Sequence, residues 1–469
     1  MHIQKLEFFV NPHKLYAYLN DGKRKGKIVM LQDATEKGYT ILAYGDEVFS
    51  EKIQEPNRDK LRKVCEDLSG KLALQYERLN EYLKDFQFID EISCSPFLYG
   101  LIGFFSYDAG LGFENIVSKC TDDQNYPSYY FIVPKEVVIL DHVNKCMWIV
   151  FASELDLEDE DFFENLRNIH FKESEKACEN EMAMSSNLTK GEYVEKLLKV
   201  KEYLEKGETY QVNFSQRFCF DSHKSPWEIY KSVTEINPTK YQVFLNGYTE
   251  DSGGFSVVSN SPERLFKISY VDNKRKIETR PIKGTSGIRG GETAAELKLI
   301  GDCLVQSDKD RAELEMIVDM SRNDLGRVCE FGTVQVDEHR IVERYSHLLH
   351  TASNISGILK SNVKLYDVMR AIFPGASITG CPKKRTMEII DELEDFSRGV
   401  YCGSFGYFDC RGMADFNIMI RTLFAKNRGE LFKYVMHSGG GIVMDSIPEL
   451  EFNETFDKVN AFLEVINMK

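Results

Sequence analysis

The eleven cysteines form no C-x-x-C pair and match no metal-finger spacing. Their odd number and irregular spacing fit reduced cytosolic thiols. Long hydrophobic runs are missing too. The longest, such as Tyr129–Val133 and residues 137–140, are strand-sized, so no membrane span is expected. Positive charge is in deficit: 59 Lys and Arg against 74 Asp and Glu leave a formal net charge of −15. That argues against nucleic acid as the main partner, since phosphate neutralisation needs clustered cations. Neither a Rossmann glycine fingerprint nor a G-x-x-x-x-G-K-[ST] phosphate loop occurs, and no period of about 20–50 residues repeats. The opening Met1-His2-Ile3-Gln4-Lys5-Leu6-Glu7 carries no signal-peptide pattern, so a cytoplasmic location is expected.

What is present reads as a large globular enzyme. The 469 residues favour two lobes or one composite domain. Residues 28–31, 39–44, 129–133 and 147–151 read as strands, and 57–86 as a helix. Residues 154–187 are strongly polar, and 172–187 read as a linker between an N-terminal lobe, 1–171, and a second region, 188–469. That region opens on a capping box, Thr189-Lys190-Gly191-Glu192, followed by Tyr193, Leu197, Val200 and Leu204 at helical spacing. Gly207 then leads into a strand-like Tyr210-Gln211-Val212-Asn213-Phe214.

Six segments stand out in this second region: Ser261-Pro262-Glu263-Arg264, Arg280-Pro281-Ile282-Lys283-Gly284-Thr285, Arg322-Asn323-Asp324-Leu325-Gly326-Arg327, Glu343-Arg344-Tyr345-Ser346-His347, the run from Phe373-Pro374-Gly375 through Ser377 to Lys383, and Ser438-Gly439-Gly440-Gly441-Ile442-Val443. Residues 448–463 read as a helix, with Phe452, Phe456, Val459 and Leu463 on one stripe and Glu451, Glu454 and Lys458 on another face. Asp310 and Glu313 repeat the i, i+3 carboxylate spacing upstream. Two such helices facing each other can hold a hard cation through oxygen ligands. Taken alone, the same spacing is more often a solvated helix face. Arg421 can clamp a carboxylate bidentately, and the Gly439–Gly441 backbone can approach an anion closely. A glycine turn among surface charges would look the same. A buried Lys283 can act as a nucleophile; a carboxylate ligand or a solvated loop lysine is the alternative.

In this order the six segments closely resemble the chorismate-binding family, which includes anthranilate, aminodeoxychorismate, isochorismate and salicylate synthases. The match is dense over about residues 186–469 and loose before them. The resemblance implies an α/β (α+β) fold of antiparallel sheets packed as a sandwich with outer helices, and an active site in a cleft between sheet edges and helices. It implies that Glu313 and Glu454 bind Mg²⁺ directly, with Asp310 and Glu451 supporting it through water. It assigns substrate contacts to Arg421, Tyr401, Gly439, Gly441 and Lys458, with Thr285 and Ser377 as further pocket positions. His350 matches the family's active-site histidine, and His347, one turn earlier, is read as structural.

Two positions discriminate among reactions. Gln211 stands where water-using relatives carry a lysine base, and an amide cannot abstract that proton. Lys283 gives Pro-Ile-Lys-Gly-Thr, the reading of aminodeoxychorismate synthases, where anthranilate synthases usually have alanine. The mechanism implied has Lys283 attack C2 of chorismate, ammonia attack C4, and Glu263 serve as acid and base. Arg280 is expected on the opposite face from Lys283. No cysteine lies on a Gly-x-Cys-x-Gly elbow, so ammonia is expected from a separate glutamine amidotransferase subunit or from solution. The alternatives are an anthranilate synthase large subunit and a catalytically silent amino-acid-binding relative. Related N-terminal lobes bind tryptophan at a Leu-Leu-Glu-Ser-like segment; Val29-Met30-Leu31-Gln32-Asp33-Ala34 departs from it here.

Overall fold

The computed structural model describes residues 2–20, 28–53, 57–83, 95–152, 184–288, 292–344 and 348–467. Its strands follow from short β-branched and aromatic runs. Tyr129–Val133, Glu136–Asp141 and Cys146–Phe151 are buried at every position. They are therefore covered on both faces, as central strands of a layered fold must be. Alternation assigns the faces within a strand. In Gly100–Phe105, Leu101 and Phe105 join the core beneath the helices, whereas Ile102 and Phe104 point into the core between the sheets.

All named strand pairs are antiparallel, and they build two sheets. The twelve-stranded sheet runs from His2–Leu6 through Cys146–Phe151, Glu136–Asp141, Tyr39–Tyr44 and Ile28–Gln32. It then crosses to Tyr241–Thr249, Gly253–Ser261, Thr422–Arg428, Leu431–Ile442, Gln211–Ser222 and the short Gly380–Cys381. The ten-stranded sheet begins at Ile282–Gly287 and continues through Leu348–Ile358, Lys274–Arg280, Arg264–Val271, Ala414–Asn417 and Ser404–Asp409. It ends with Gly100–Phe105, Tyr129–Val133 and Glu47–Glu51. Both sheets draw strands from either side of residues 153–183. Ile28–Gln32 pairs with Tyr241–Thr249, and Gly100–Phe105 with Ser404–Asp409.

Helices cover the outer faces. Arg58–Leu83, Asp308–Val328 and Leu365–Ile372 pack with the second sheet; Pro226–Ile236 and Pro448–Asn467 cover the first. The expected capping box forms: Thr189 Oγ1 accepts from Glu192 N at 3.3 Å while Thr189 N donates to Glu192 Oε2 at 2.8 Å. The sandwich of antiparallel sheets with outer helices is the fold the sequence resemblance implies. Residues 172–183 of the expected linker, and His347, lie outside the described residues; Ser185–Ser186 forms a short strand against Gln211–Ser222. Among the described residues no helix is long and apolar enough to cross a membrane.

Candidate active site

The end strand of the ten-stranded sheet sends a side chain toward the twelve-stranded sheet. Ile282–Gly287 and Leu348–Ile358 pair antiparallel, with Lys283 opposite Thr351 and Thr285 opposite His350; the register slips between Lys283 and Thr285. Gly284 is the extra residue. Its φ of +73° suits glycine, and a Cβ there would sit 3.2 Å from Asp310 Cγ. A bulge of this kind re-aims the neighbouring side chain, and here it sends Lys283 across to the other sheet. Lys283 Nζ lies 3.1 Å from Glu313 Oε2, with the two side chains only 19% and 11% exposed. A Cβ on Gly441, in the Leu431–Ile442 strand, would come within 3.1 Å of the same ammonium and would collide with the Gln211 amide. Glycine at 441 thus leaves room for both groups.

Glu263 completes the cluster. Its carboxyl is fully enclosed, and burial pushes its pKa up to about 7 against the pull of the Ser377 hydroxyl, the Lys283 charge and the Ile282 backbone. Near neutrality the carboxyl is thus divided between its two protonation states. Ser377, on the short Ala376–Ile378 turn, leans toward this carboxyl. Yet neither Ser377 Oγ nor Glu263 Oε1 has a well-angled hydrogen-bond partner among the described residues. The buried Gln211 also leaves both Nε2 and Oε1 without a partner among the described residues. Each such atom costs about 1–3 kcal/mol, and their gathering at one point marks a place for a polar ligand.

His350 and Arg421 stand behind the bulge. Burial first, then the Arg421 charge, holds His350 down to about 4, so the imidazole is neutral under ordinary conditions. Arg421, itself held below its ordinary value by burial, has no acidic partner among the described residues. It is a partly buried cation available to an anion. On the other side, Lys458 Nζ donates to Gly439 O at 2.8 Å and lies 2.7 Å from Glu454. Glu451 Oε1 accepts from Ser446 Oγ at 2.8 Å, and its Oε2 hangs over Gly440.

The fold therefore unites Lys283, Glu263, Gln211, Ser377, Glu313 and Gly441. Asp310, His350 and Arg421 lie against the bulge, and Lys458, Glu454, Glu451 and Gly439 flank the glycine edge. Thr285 is placed by its backbone alone, opposite His350. Tyr401 is buried, its ring stacked on His437 at 5.6 Å. Arg280 turns away from Lys283, as its strand position predicts, and pairs with Glu343 and Glu338. The four carboxylates do not gather tightly. Among the described residues no group of three His, Cys, Asp or Glu is poised as a metal cage.

A model of chorismate binding enzymes matches residues 17–464. The chain belongs to this chorismate-binding enzyme family. It is similar to aminodeoxychorismate synthase component 1 of Bacillus subtilis strain 168, 36% identical over 378 residues, which covers 79% of this chain and 77% of the relative. Anthranilate synthase component 1 of Aquifex aeolicus strain VF5 is 32% identical over 464 residues, 95% of this chain and 90% of that one. The crystal structure of anthranilate synthase component I from Streptococcus pneumoniae TIGR4 superposes with a TM-score of 0.75 at 26% identity, covering 97% of each chain. Overall similarity is thus divided between two activities, and the choice between them falls on individual residues of this chorismate-binding enzyme.

Glu394 and Arg398 carry no distinguishing motif in the sequence, yet the fold buries them beside Tyr401. Their i, i+4 spacing is that of an exposed helix pair. The one available signal was that Arg398 opens the uncharged stretch Gly399-Val400-Tyr401.

Proposed function

We propose that the protein is the large subunit of an aminodeoxychorismate synthase, converting chorismate and ammonia to 4-amino-4-deoxychorismate and water. The observation that carries this reading is Lys283, aimed by the Gly284 bulge into the pocket where the enclosed Glu263 and the unpaired Gln211 converge. In the first step Lys283, its proton released to solvent, attacks C2 as a free amine, both conjugated ring double bonds shift, and the C4 hydroxyl takes the Glu263 proton and leaves as water. Ammonia then attacks C4, both double bonds shift back, and the bond to Lys283 breaks. The surplus proton on the new amine returns to Glu263. Gln211 supplies no base for activating water, which favours ammonia as the nucleophile. Arg421 and Lys458 suit the two carboxylates of the substrate.

Asp310, Glu313, Glu451 and Glu454 offer the hard oxygen donors that Mg²⁺ takes. Mg²⁺ commonly binds through one or two carboxylates plus water and substrate rather than in an all-protein cage. The loose arrangement of these four therefore fits it. Lys283 and Lys458 presently balance Glu313 and Glu454. When bound, the cation supplies positive charge for a substrate carboxylate. Glu313→Ala and Glu454→Ala should each abolish turnover, by about 10³-fold or more on the scale of lost transition-state stabilisation, with the circular dichroism spectrum unchanged. Full activity of both variants at saturating chorismate and low Mg²⁺ would remove this site from the reading.

The nitrogen source provides the test of the function. With chorismate and Mg²⁺ the purified chain should form 4-amino-4-deoxychorismate from ammonium salts and nothing from glutamine. Adding a lyase for that product should then yield 4-aminobenzoate. Anthranilate and pyruvate as the products would move the reading to anthranilate synthase, and turnover of glutamine by the pure chain would overturn the need for a partner amidotransferase.

A further inference from the structure

Behind Ser377 and Tyr401 lies an ion pair that no step of the proposed reaction uses. Arg398 is the largest fully buried side chain among the described residues, 2% exposed. Its Nε donates to Glu394 Oε2 at 2.9 Å and its Nη2 to Glu394 Oε1 at 2.7 Å, a forked pair. The fork also reaches outward. Nη1 donates to the carbonyl of Ile378, next to Ser377, at 3.1 Å. Nη2 donates to the carbonyl of Asn213 at 2.5 Å, and Asn213 is the strand partner of Gly441. The guanidinium lies 4.6 Å from the centre of the Tyr107 ring and 5.7 Å from that of Tyr401. Glu394 Oε1 in turn accepts from Ser215 N at 2.9 Å and Ser215 Oγ at 2.8 Å. Ser215 is the strand partner of Gly439.

Ser377, Tyr401 and the Gly439–Gly441 edge belong to three separate segments, and each is one residue or one contact away from this pair. A buried ion pair is a poor source of stability, because apolar side chains of similar volume often do as well. A forked and fully bonded one does, however, fix distances that apolar packing leaves adjustable. We propose that the Arg398–Glu394 pair is the positioning device of the substrate pocket. It sets the spacing between Ser377, Tyr401 and the Gly439–Gly441 edge, so that a rigid dianion is held in the one pose Lys283 can attack. The inference rests on reading that pocket as the chorismate site.

The test separates position from stability. In the double variant Arg398→Met with Glu394→Leu, apolar volume replaces the pair, and the thermal midpoint should stay close to that of the wild type. kcat/KM for chorismate, per folded molecule, should nevertheless fall about 100-fold, the scale of a misplacement of about 1 Å, with KM for ammonium unchanged. Arg398→Lys, which keeps the charge and loses the fork, should fall similarly while remaining folded. Wild-type kcat/KM per folded molecule in both variants would overturn the proposal whatever their midpoints. Calorimetry of the wild type with chorismate alone serves as the separate control. Absence of binding there would sink the reading of the pocket itself, whereas binding with unaltered variants sinks only the positioning role.

Discussion

Lys283→Ala is expected to lose para amination by at least about 10³-fold, or about 4 kcal/mol of barrier, and to release some ortho product. Chorismate presents two carbons to a nucleophile. While the Lys283 amine holds C2, ammonia is left with C4; with the amine removed, ammonia can take C2 itself. Because Lys283 also balances Glu313 at 3.1 Å, the alanine variant alone would mix lost chemistry with an unpaired carboxylate. Lys283→Arg separates the two, since a guanidinium retains the charge and does not deprotonate to a nucleophile. It should be as inactive as the alanine variant. Mass spectrometry of wild-type enzyme quenched with chorismate in the absence of ammonia should find an adduct on the peptide carrying Lys283. Formation of 4-amino-4-deoxychorismate at the wild-type rate by either variant would reduce Lys283 to a binding residue.

The second large effect is expected at Glu263. Glu263→Gln preserves shape and removes the proton, and should cost about 10²–10⁴-fold in kcat. Its pH signature is directional. The group is pushed up to about 7, so the proton-carrying form disappears as pH rises through that value, and the wild-type rate should fall on the alkaline side. The variant should lack that limb. His350, held down to about 4 and neutral well before this range, contributes nothing there. Stability gives an independent reading. A carboxyl whose value is raised on folding makes the protein lose stability as pH climbs from 4.5, the ordinary value, to about 7. The glutamine variant should lack this slope and, above about pH 7, resist urea unfolding better than the wild type. An alkaline limb persisting in the variant would assign it to some other group.

The residues of this site stand out in the sequence through their resemblance to a family, since by local spacing alone the carboxylates and Lys283 read equally as solvated side chains. The bulge that aims Lys283 falls within Pro-Ile-Lys-Gly-Thr, at its glycine. The capping box at Thr189 and the apolar stripe of Pro448–Asn467 are likewise patterns a few residues long, and the structure reproduces both. What could not be read is what depends on which strands meet. Nothing local says that Gly441 faces Lys283, or that Glu263 is sealed from water so that its carboxyl titrates near neutrality. Glu394 and Arg398 show the same limit more sharply. Their spacing belongs to a solvated helix pair, yet the helix stops at Leu393 and the chain turns the arginine inward. The unpaired atoms of Gln211, Ser377 and Glu263 are also a property of the assembled pocket.

The way both sheets interleave distant strands bears on how the molecule is made. Leu98 N donates to Asp409 Oδ2 at 2.7 Å across a separation of 311 residues, and Ile28–Gln32 waits for Tyr241–Thr249 before its second edge is covered. A chain leaving the ribosome from its N-terminus would thus carry hydrophobic, half-paired strands until nearly all of it had been synthesised. Such long-range pairing closes slowly and leaves aggregation-prone edges in the meantime. Recombinant expression should then benefit from slow, cool induction and chaperone support. Separate production of the segments before and after residues 153–183 should give insoluble fragments that recover the fold only when they are refolded together.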